Sequence, residues 1–321
     1  MAESLTSIPV CPSDVLVTGV SGFIGGHIAI HLARQGYRVH GTARRLERVP
    51  AAVAASCKRV VEFRIDADTD WTALMQGVKF VVHTAAHVHV RHPRRADAAS
   101  FRITNAESAA TMAEACVRFG VGTLVNLSSV AAVTASVPSD TESYGGSKLM
   151  AERLIADALS ETDCRYFNLR LPAVYGPGMK GTLSFLYGCV ALGIPLPAIT
   201  RSTKRSYLSI WNLVDCVSWC LLSREQRSGT FVVADYEALD FCELIRLMSA
   251  GMGRTARFFP VGSRALEVAA RLLGREGELR RAYTSYEVDF ERLESMLRWQ
   301  PSVPAAEAWN RLARERNEVA L

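Results

Sequence analysis

Residues 17–27, VTGVSGFIGGH, constrain this chain more than any other stretch. They follow the apolar run DVLVT (14–18) and lead into a segment with Ile24, Ile28 and Leu32 at helical spacing. A strand, a turn and a helix are thus packed into about two dozen residues, with Gly19, Gly22 and Gly25 in the turn. Gly19 permits a tight turn, Gly22 lets backbone approach a ligand, and Gly25 lets the helix pack on the strand. The helix start then points its unpaired N–H groups at an anion. Three glycines alone would also make a plain turn. Placed between a strand and a helix, they make a cradle for the pyrophosphate of a dinucleotide.

The same rhythm continues downstream. Strands are predicted at 37–43, 59–66, 79–86, 122–130 and 164–176, with helices from about Trp71, at 103–120 and at 144–159. Strict alternation of this kind argues for an α/β fold, a Rossmann-type doubly wound parallel sheet with helices on both faces. After about residue 176 the rhythm changes. A helix and loop cover 181–200, a strand and helix cover 205–223, and a strand covers 229–235. Helices follow at 240–254, 263–274 and 289–302, the last ending before Pro301. We therefore divide the chain into a dinucleotide-binding domain at 1–176, with return segments near 205–235, and a smaller C-terminal α/β substrate lobe at 177–321.

Composition narrows the partners. At 321 residues and 49% hydrophobic, the chain can bury one large core or two medium ones. The net charge of +5 is mild, and Lys and Arg are dispersed apart from small knots at 43–48 and 91–95. A dense basic face with interleaved aromatics is missing, so nucleic acid is not an expected partner, whereas an anionic small substrate is. The eight cysteines are scattered, form no Cys-x-x-Cys pair and follow no secretory signal, which reads as reduced thiols in the cytoplasm. The uncharged run 181–200 is broken by Gly and Pro in its second half. It reads as a buried helix and loop, without stable membrane insertion.

Two further features carry chemistry. The second strand ends GTARR, placing Arg44 and Arg45 about 20 residues past the glycines, where an acidic residue would hold a ribose 2′-hydroxyl. Guanidinium pairs with a 2′-phosphate, so NADP(H) is favoured over NAD(H). In YGGSK, Tyr144 and Lys148 lie one helical turn apart on one face. A nearby ammonium favours phenolate and so eases proton traffic from tyrosine. Ser129 ends the fifth strand, at the carboxyl edge where open α/β sheets bind ligands. Its hydroxyl, when not simply closing the strand, is placed to hydrogen-bond a substrate carbonyl.

The motifs TGVSGFIG, HTAAHVHV, NLSSVAAV, YGGSK and LRLPAVYGPG, in this order, resemble the extended short-chain dehydrogenase/reductase family, also described as the NAD-dependent epimerase/dehydratase family. The resemblance covers essentially the whole chain. It implies Ser129, Tyr144 and Lys148 as a catalytic triad. It implies Gly19, Gly22, Phe23, Ile24 and Gly25 at the pyrophosphate, and Asp66 and Ala67 at the adenine. Ala85, Ala86 and Asn105 fall beside the cofactor by the same resemblance, and Pro172, Ala173 and Val174 near the nicotinamide. In the second half, VYGPGMKGTLSFL, GIPLP, KRSYLSIWNLVD and 273–301 are similar to bacterial reductases of UDP-4-keto-6-deoxy-N-acetylhexosamines used in surface polysaccharide (O-antigen) synthesis. That implies Arg205 at the nucleotide phosphates, and Lys180 and Asn212 near the substrate. The family commonly dimerises through two helices, so the resemblance also allows a homodimer.

Departures from the family point the same way. Dehydratases of the family carry an Asp-Glu pair where Val130 and Ala131 stand, and water elimination needs such an acid–base pair. Many of its 4-epimerases carry an asparagine where Ala173 stands. Asp66 follows a strand end without the usual Gly-Asp-Leu. His83, His87, His89 and His92 crowd ten residues, but carbonyl reduction by this triad needs no metal, and one strand end and loop converge four rings poorly. His87 or His89 is expected to line the substrate pocket, with His87 the assigned residue, and no metal is expected. The reading is an NADPH-dependent 4-ketoreductase of a nucleotide sugar. Its alternatives are a UDP-sugar 4-epimerase with tightly bound NAD, and a non-catalytic NADP-sensing regulator.

Overall fold

Val15, Leu16 and Val17 are completely buried, the condition of a strand covered on both faces. They form β1 (Asp14–Thr18) in the interior of the sheet. The structure, a computed structural model, describes residues 13–66, 69–86, 101–133, 143–198, 203–223, 227–261, 271 and 297–319. Beside β1 run β2 (Arg38–Ala43) and β3 (Arg59–Glu62) on one side, and β4 (Phe80–His83), β5 (Thr123–Ser129) and β6 (Arg165–Leu171) on the other. The returning segment Gly229–Val232 (β10) completes the edge beyond β6. All pairings are parallel, in the order β10-β6-β5-β4-β1-β2-β3. The order reverses between β1 and β4, and a ligand crevice opens beyond the strand ends at such a point.

The helices of this unit are α1 (Phe23–Arg34), α2 (Ala51–Ser56), α3 (Thr72–Met75), α4 (Ser108–Arg118) and α5 (Tyr144–Leu159). Ser143 caps α5, its Oγ accepting from the Gly146 N–H at 3.0 Å. Met112 of α4 and Ile155 of α5 share one core with Leu16, Val81, Leu124 and Met75. Each such side chain withdrawn from water contributes about 1.5–3 kcal/mol. Helix α1 is joined to the returning α7 (Ile210–Leu222) by a hydrogen bond of 3.0 Å between His31 Nε2 and Ser218 Oγ.

The chain separates into two compact units. The first runs to Leu171 and includes Val214–Val232; the second holds Pro172–Leu213 and everything from Val233. The first break therefore falls at Pro172 rather than at 176, and the return begins at 214 rather than near 205. The cause is local. Pro172 has no N–H to continue the ladder, so the strand expected at 164–176 splits. Its second piece, β7 (Ala173–Tyr175), pairs instead with β9 (Arg205–Ser209). The third strand stops at Glu62, where its sheet neighbour β2 ends opposite it at Ala43. The helix expected at 103–120 opens as a π-helical turn, Arg102–Glu107.

In the second unit β9 also pairs with β11 (Ala238–Leu239), and β8 (Leu196–Ala198) pairs with β12 (Phe258–Pro260). Its helices are α6 (Thr182–Ala191), α8 (Phe241–Gly251) and α9 (Ala305–Val319). Asp240 and Glu243 close a reciprocal capping box at the start of α8. Trp309 of α9 stacks on Tyr175 at 4.3 Å between ring centroids and on Tyr187 at 6.0 Å. The sequence reading above does not include α9, although Pro304 followed by apolar 305, 308, 309, 312 and 313 is a helix signature. The helix expected at 263–274 lies outside the described residues except for Arg271, and most of that at 289–302 lies outside them too. Among the described residues no helix is long and apolar enough to cross a membrane; the run 181–200 forms α6 and β8 instead.

Candidate active site

The glycine loop turns as its sequence requires. Gly19 has φ 73°, and the Gly22 N–H donates to the Gly19 carbonyl at 2.9 Å. A Cβ on Gly25 would lie 2.5 Å from the Gly19 oxygen and 2.6 Å from Thr84 Oγ1, so only glycine fits there without displacement. Gly22 is the N-cap of α1, and no side chain caps the helix. The N–H groups of its first turn therefore suit an anionic ligand. Thr18 braces the loop against the end of β4. Its Oγ1 accepts from the N–H groups of Thr84 and Ala85, both at 3.1 Å. Its hydroxyl proton is then left for His83 Nδ1, also at 3.1 Å. The Thr84 hydroxyl in turn donates to the Thr18 carbonyl at 2.5 Å. Burial, with a smaller effect from the Lys148 charge, pushes the His83 imidazole down to about 3, so it is neutral.

Ser129 ends β5 and Tyr144 opens α5, and their hydroxyls are hydrogen-bonded to each other. Ser129 Oγ also accepts from the Ala131 N–H at 3.2 Å. The Tyr144 ring is half-buried and meets Phe101 edge-on at 6.2 Å. Lys148, one turn on, is buried, and its Nζ donates to the Leu127 carbonyl at 2.7 Å. Burial pushes its ammonium down to about 8, against an opposing pull from Glu152. The sequence reading expected the ammonium to lower the tyrosine pKa. In the structure burial raises the Tyr144 phenol, the Ser129 hydrogen bond pulls it back, and Lys148 is turned toward a backbone carbonyl. A hydroxyl pair with a buried ammonium one helical turn away can pass a proton to a carbonyl oxygen.

The profile of the NAD dependent epimerase/dehydratase family matches residues 15–234. The chain belongs to that family. It is 27% identical over 318 residues to a UDP-glucose 4-epimerase of Vibrio cholerae, covering 94% of this chain and 95% of that one. MoeE5, solved in complex with UDP-glucose and NAD, superposes with a TM-score of 0.72 at 22% identity, over 96% of this chain and 100% of its own. The UDP-N-acetylglucosamine 4-epimerase of Bacillus cereus gives 0.73 at 17%, over 95% and 99%. These two superpositions share the fold of this enzyme.

The other residues implied by the family resemblance are distributed as follows. Phe23 and Ile24 form the first turn of α1, beside the glycines. Arg44 and Arg45 are exposed just past β2. Asp66 is exposed and receives the Thr69 hydroxyl, while Ala67 lies outside the described residues. Ala85 and Ala86 follow β4 on the braced loop. Asn105 is buried in the π-helical turn and donates to Ser147 Oγ on α5 at 3.1 Å. Pro172, Ala173 and Val174 belong to the second unit, as do Lys180, which is exposed, and Arg205, half-buried at the start of β9. His87, with His89 and His92, lies outside the described residues.

Asn212 is corrected. Its side chain is fully buried in the second unit, donating to Asp235 Oδ1 at 2.7 Å and to the Val303 carbonyl at 2.8 Å, and accepting from the Val303 N–H at 2.9 Å. Every polar atom of its amide is engaged with protein, so it is a structural residue rather than a substrate contact. The sequence reading also missed Thr18, Thr84, Phe101, Glu152 and Arg170. Glu152 had a visible signal, since it follows Lys148 by one more helical turn.

Proposed function

We propose that this enzyme reduces the C4 keto group of a nucleotide-activated sugar, of the UDP-4-keto-6-deoxy-N-acetylhexosamine type used in surface polysaccharide synthesis, with NADPH. The observation that carries the reading is the hydroxyl pair of Ser129 and Tyr144 beside the buried Lys148, at the carboxyl edge of the sheet. The glycine cradle fits a dinucleotide, since the absence of a Cβ at Gly25 lets α1 pack close on the loop and Gly22 leaves the start of that helix without a side-chain cap. Gly19, Gly22 and the first turn of α1 would hold its pyrophosphate. The bound nicotinamide supplies the hydride.

The chain's own groups do the rest. The Ser129 hydroxyl donates to the substrate carbonyl and orients it. Tyr144 gives its phenolic proton to that oxygen as charge develops there. The Lys148 ammonium offsets the phenolate left behind. Arg205 pairs with the nucleotide diphosphate, and Lys180 lies near the sugar. Arg44 and Arg45 select the 2′-phosphate; neither makes an ion pair among the described residues. The described cysteines are all free thiols, which fits a cytoplasmic enzyme.

A second reading is favoured by one finding. The Vibrio cholerae relative matched over nearly the whole chain is a UDP-glucose 4-epimerase. An epimerase would take the hydride from C4 and return it to the other face, keeping its cofactor bound. The experiment is absorbance at the NADPH band on mixing the purified enzyme with a UDP-4-keto-6-deoxy-N-acetylhexosamine, with NADH in parallel. Stoichiometric NADPH oxidation, abolished in Tyr144→Phe, establishes the reductase. No oxidation, with NAD retained through purification and UDP-glucose converted to UDP-galactose, establishes the epimerase.

A further inference from the structure

Glu152 sits where a carboxylate is costly. It is 3% exposed, on the same face of α5 as Tyr144 and Lys148 and one turn beyond the lysine. Three donors compensate it. Ser128 Oγ donates at 2.5 Å. Arg170 grips it with two groups, Nε at 3.0 and 3.1 Å and Nη2 at 2.6 Å. Ser128 and Arg170 are direct partners in the β5–β6 ladder, so the carboxylate bridges α5 to both strands. The Glu152 backbone carbonyl accepts from Asn168 Nδ2 at 3.2 Å, and Asn168 Oδ1 accepts from Asn126 at 2.9 Å. A helix held by two layers of buried polar contacts has one register on its sheet. That register sets how Tyr144 meets Ser129, the residue after Ser128.

The same carboxylate is part of the electrostatic surroundings of Lys148. Facing this lysine are Tyr144 and Glu152 on its own helix, neutral His83 on β4 and the Leu127 carbonyl on β5. Arg170 on β6 is bound to Glu152. Among these, Glu152 is the group that pulls Lys148 toward its charged form. We propose that the buried Ser128–Glu152–Arg170 network is a positioning device for the reaction: it locks α5 in register so that Tyr144 meets Ser129, and it supplies the negative charge that keeps Lys148 an ammonium. This rests on the proposed function in taking Tyr144 and Lys148 as the proton-handling pair. Glu152, Arg170 and Ser128 are positioning residues and touch no substrate.

The two ends of the network have opposite signs, which separates this role from a purely structural one. Glu152→Gln removes an attraction and uncovers the Arg170 charge, and both changes disfavour the ammonium. Arg170→Gln leaves the carboxylate uncompensated and favours it. The test is a pH titration of 13Cε-lysine NMR signals in the full chain, with the Lys148 signal identified by its loss in Lys148→Met. The Lys148 midpoint should fall by about one pH unit or more in Glu152→Gln and rise in Arg170→Gln. The alkaline limb of kcat should move in the same two directions, with the sugar-nucleotide KM within about twofold. Shifts of the same sign, or none, overturn the proposal. The double variant E152Q/R170Q removes both members of the ion pair together, so neither is left buried without the other, and is the one to use where a single variant does not fold. Its midpoint should lie below that of the unsubstituted enzyme and above that of Glu152→Gln; an unchanged or higher value overturns the proposal. Turnover that survives in Lys148→Met would sink the proposed function, and the NMR titration would still judge the network.

Discussion

Two glycine-to-alanine changes should act with opposite signs. At Gly25 the added methyl would lie 2.5 Å from a backbone oxygen and 2.6 Å from the Thr84 hydroxyl that is itself bonded to Thr18. Neither neighbour is the loose end of a flexible chain, so α1 must move off the loop by several tenths of an ångström. Overpacking of this kind costs about 1–3 kcal/mol. The better helix propensity of alanine returns roughly 1 kcal/mol at most. A net loss of up to about 2 kcal/mol should lower Tm by up to about 3 °C in a chain of 321 residues. The shifted helix start should also weaken dinucleotide binding severalfold or more. At Gly188, in the middle of α6, a Cβ would meet nothing within 4 Å. There alanine should stabilise by about 0.5–1 kcal/mol and leave cofactor affinity unchanged. Scanning calorimetry and fluorescence titration with NADPH and NADH read both effects. A Gly25→Ala protein that matches the original in Tm and in cofactor affinity would refute the close-packing argument for this loop.

Arg44→Ala should weaken NADPH more than NADH; equal losses in the two titrations would remove the 2′-phosphate role. Asp235 accepts from the Tyr175 hydroxyl at 2.8 Å, from the Ser209 N–H and from Asn212, all within the buried heart of the second unit. Asp235→Ala should therefore cost about 2–4 kcal/mol in urea unfolding, because three donors lose their acceptor; a loss under about 0.5 kcal/mol would contradict the hub. The Arg38 guanidinium and, less strongly, His40 hold the Asp14 carboxyl well below the usual carboxylate range. A depressed folded-state pKa adds stability above the unfolded value of about 3.9, and that stability is lost as pH falls below it. Asp14→Asn should therefore be less stable than the original at pH 7, with the two Tm values converging toward pH 2; a constant gap across that range would refute the linkage.

The legible parts of this protein share one property, that their physics is local. The glycine loop is readable because a tight turn and a close helix approach require glycine at set offsets. Helix α5 begins at Tyr144 and ends at Leu159 as its sequence predicts, since Ser143 caps it and its apolar residues keep helical spacing. The doubly wound sheet follows from alternation alone. Helix α9 was equally legible, through Pro304 and its spaced apolar residues.

What the tertiary structure decided concerns residues far apart in the chain. Asn212 looks like a pocket residue in WNLVD, yet its amide is consumed by Val303, 91 residues away. The split at Pro172 could be suspected from the missing N–H. That β7 then leaves the main sheet for β9 depends on where β9 lies. Nothing within the sequence pairs Glu152 with Arg170 until β5, β6 and α5 are assembled. Only then do the ladder partners Ser128 and Arg170 close on the carboxylate. Sequence determines which groups a segment can offer within a turn or two. Burial and the meeting of distant segments determine which of those groups must pair with each other and which stay available for chemistry.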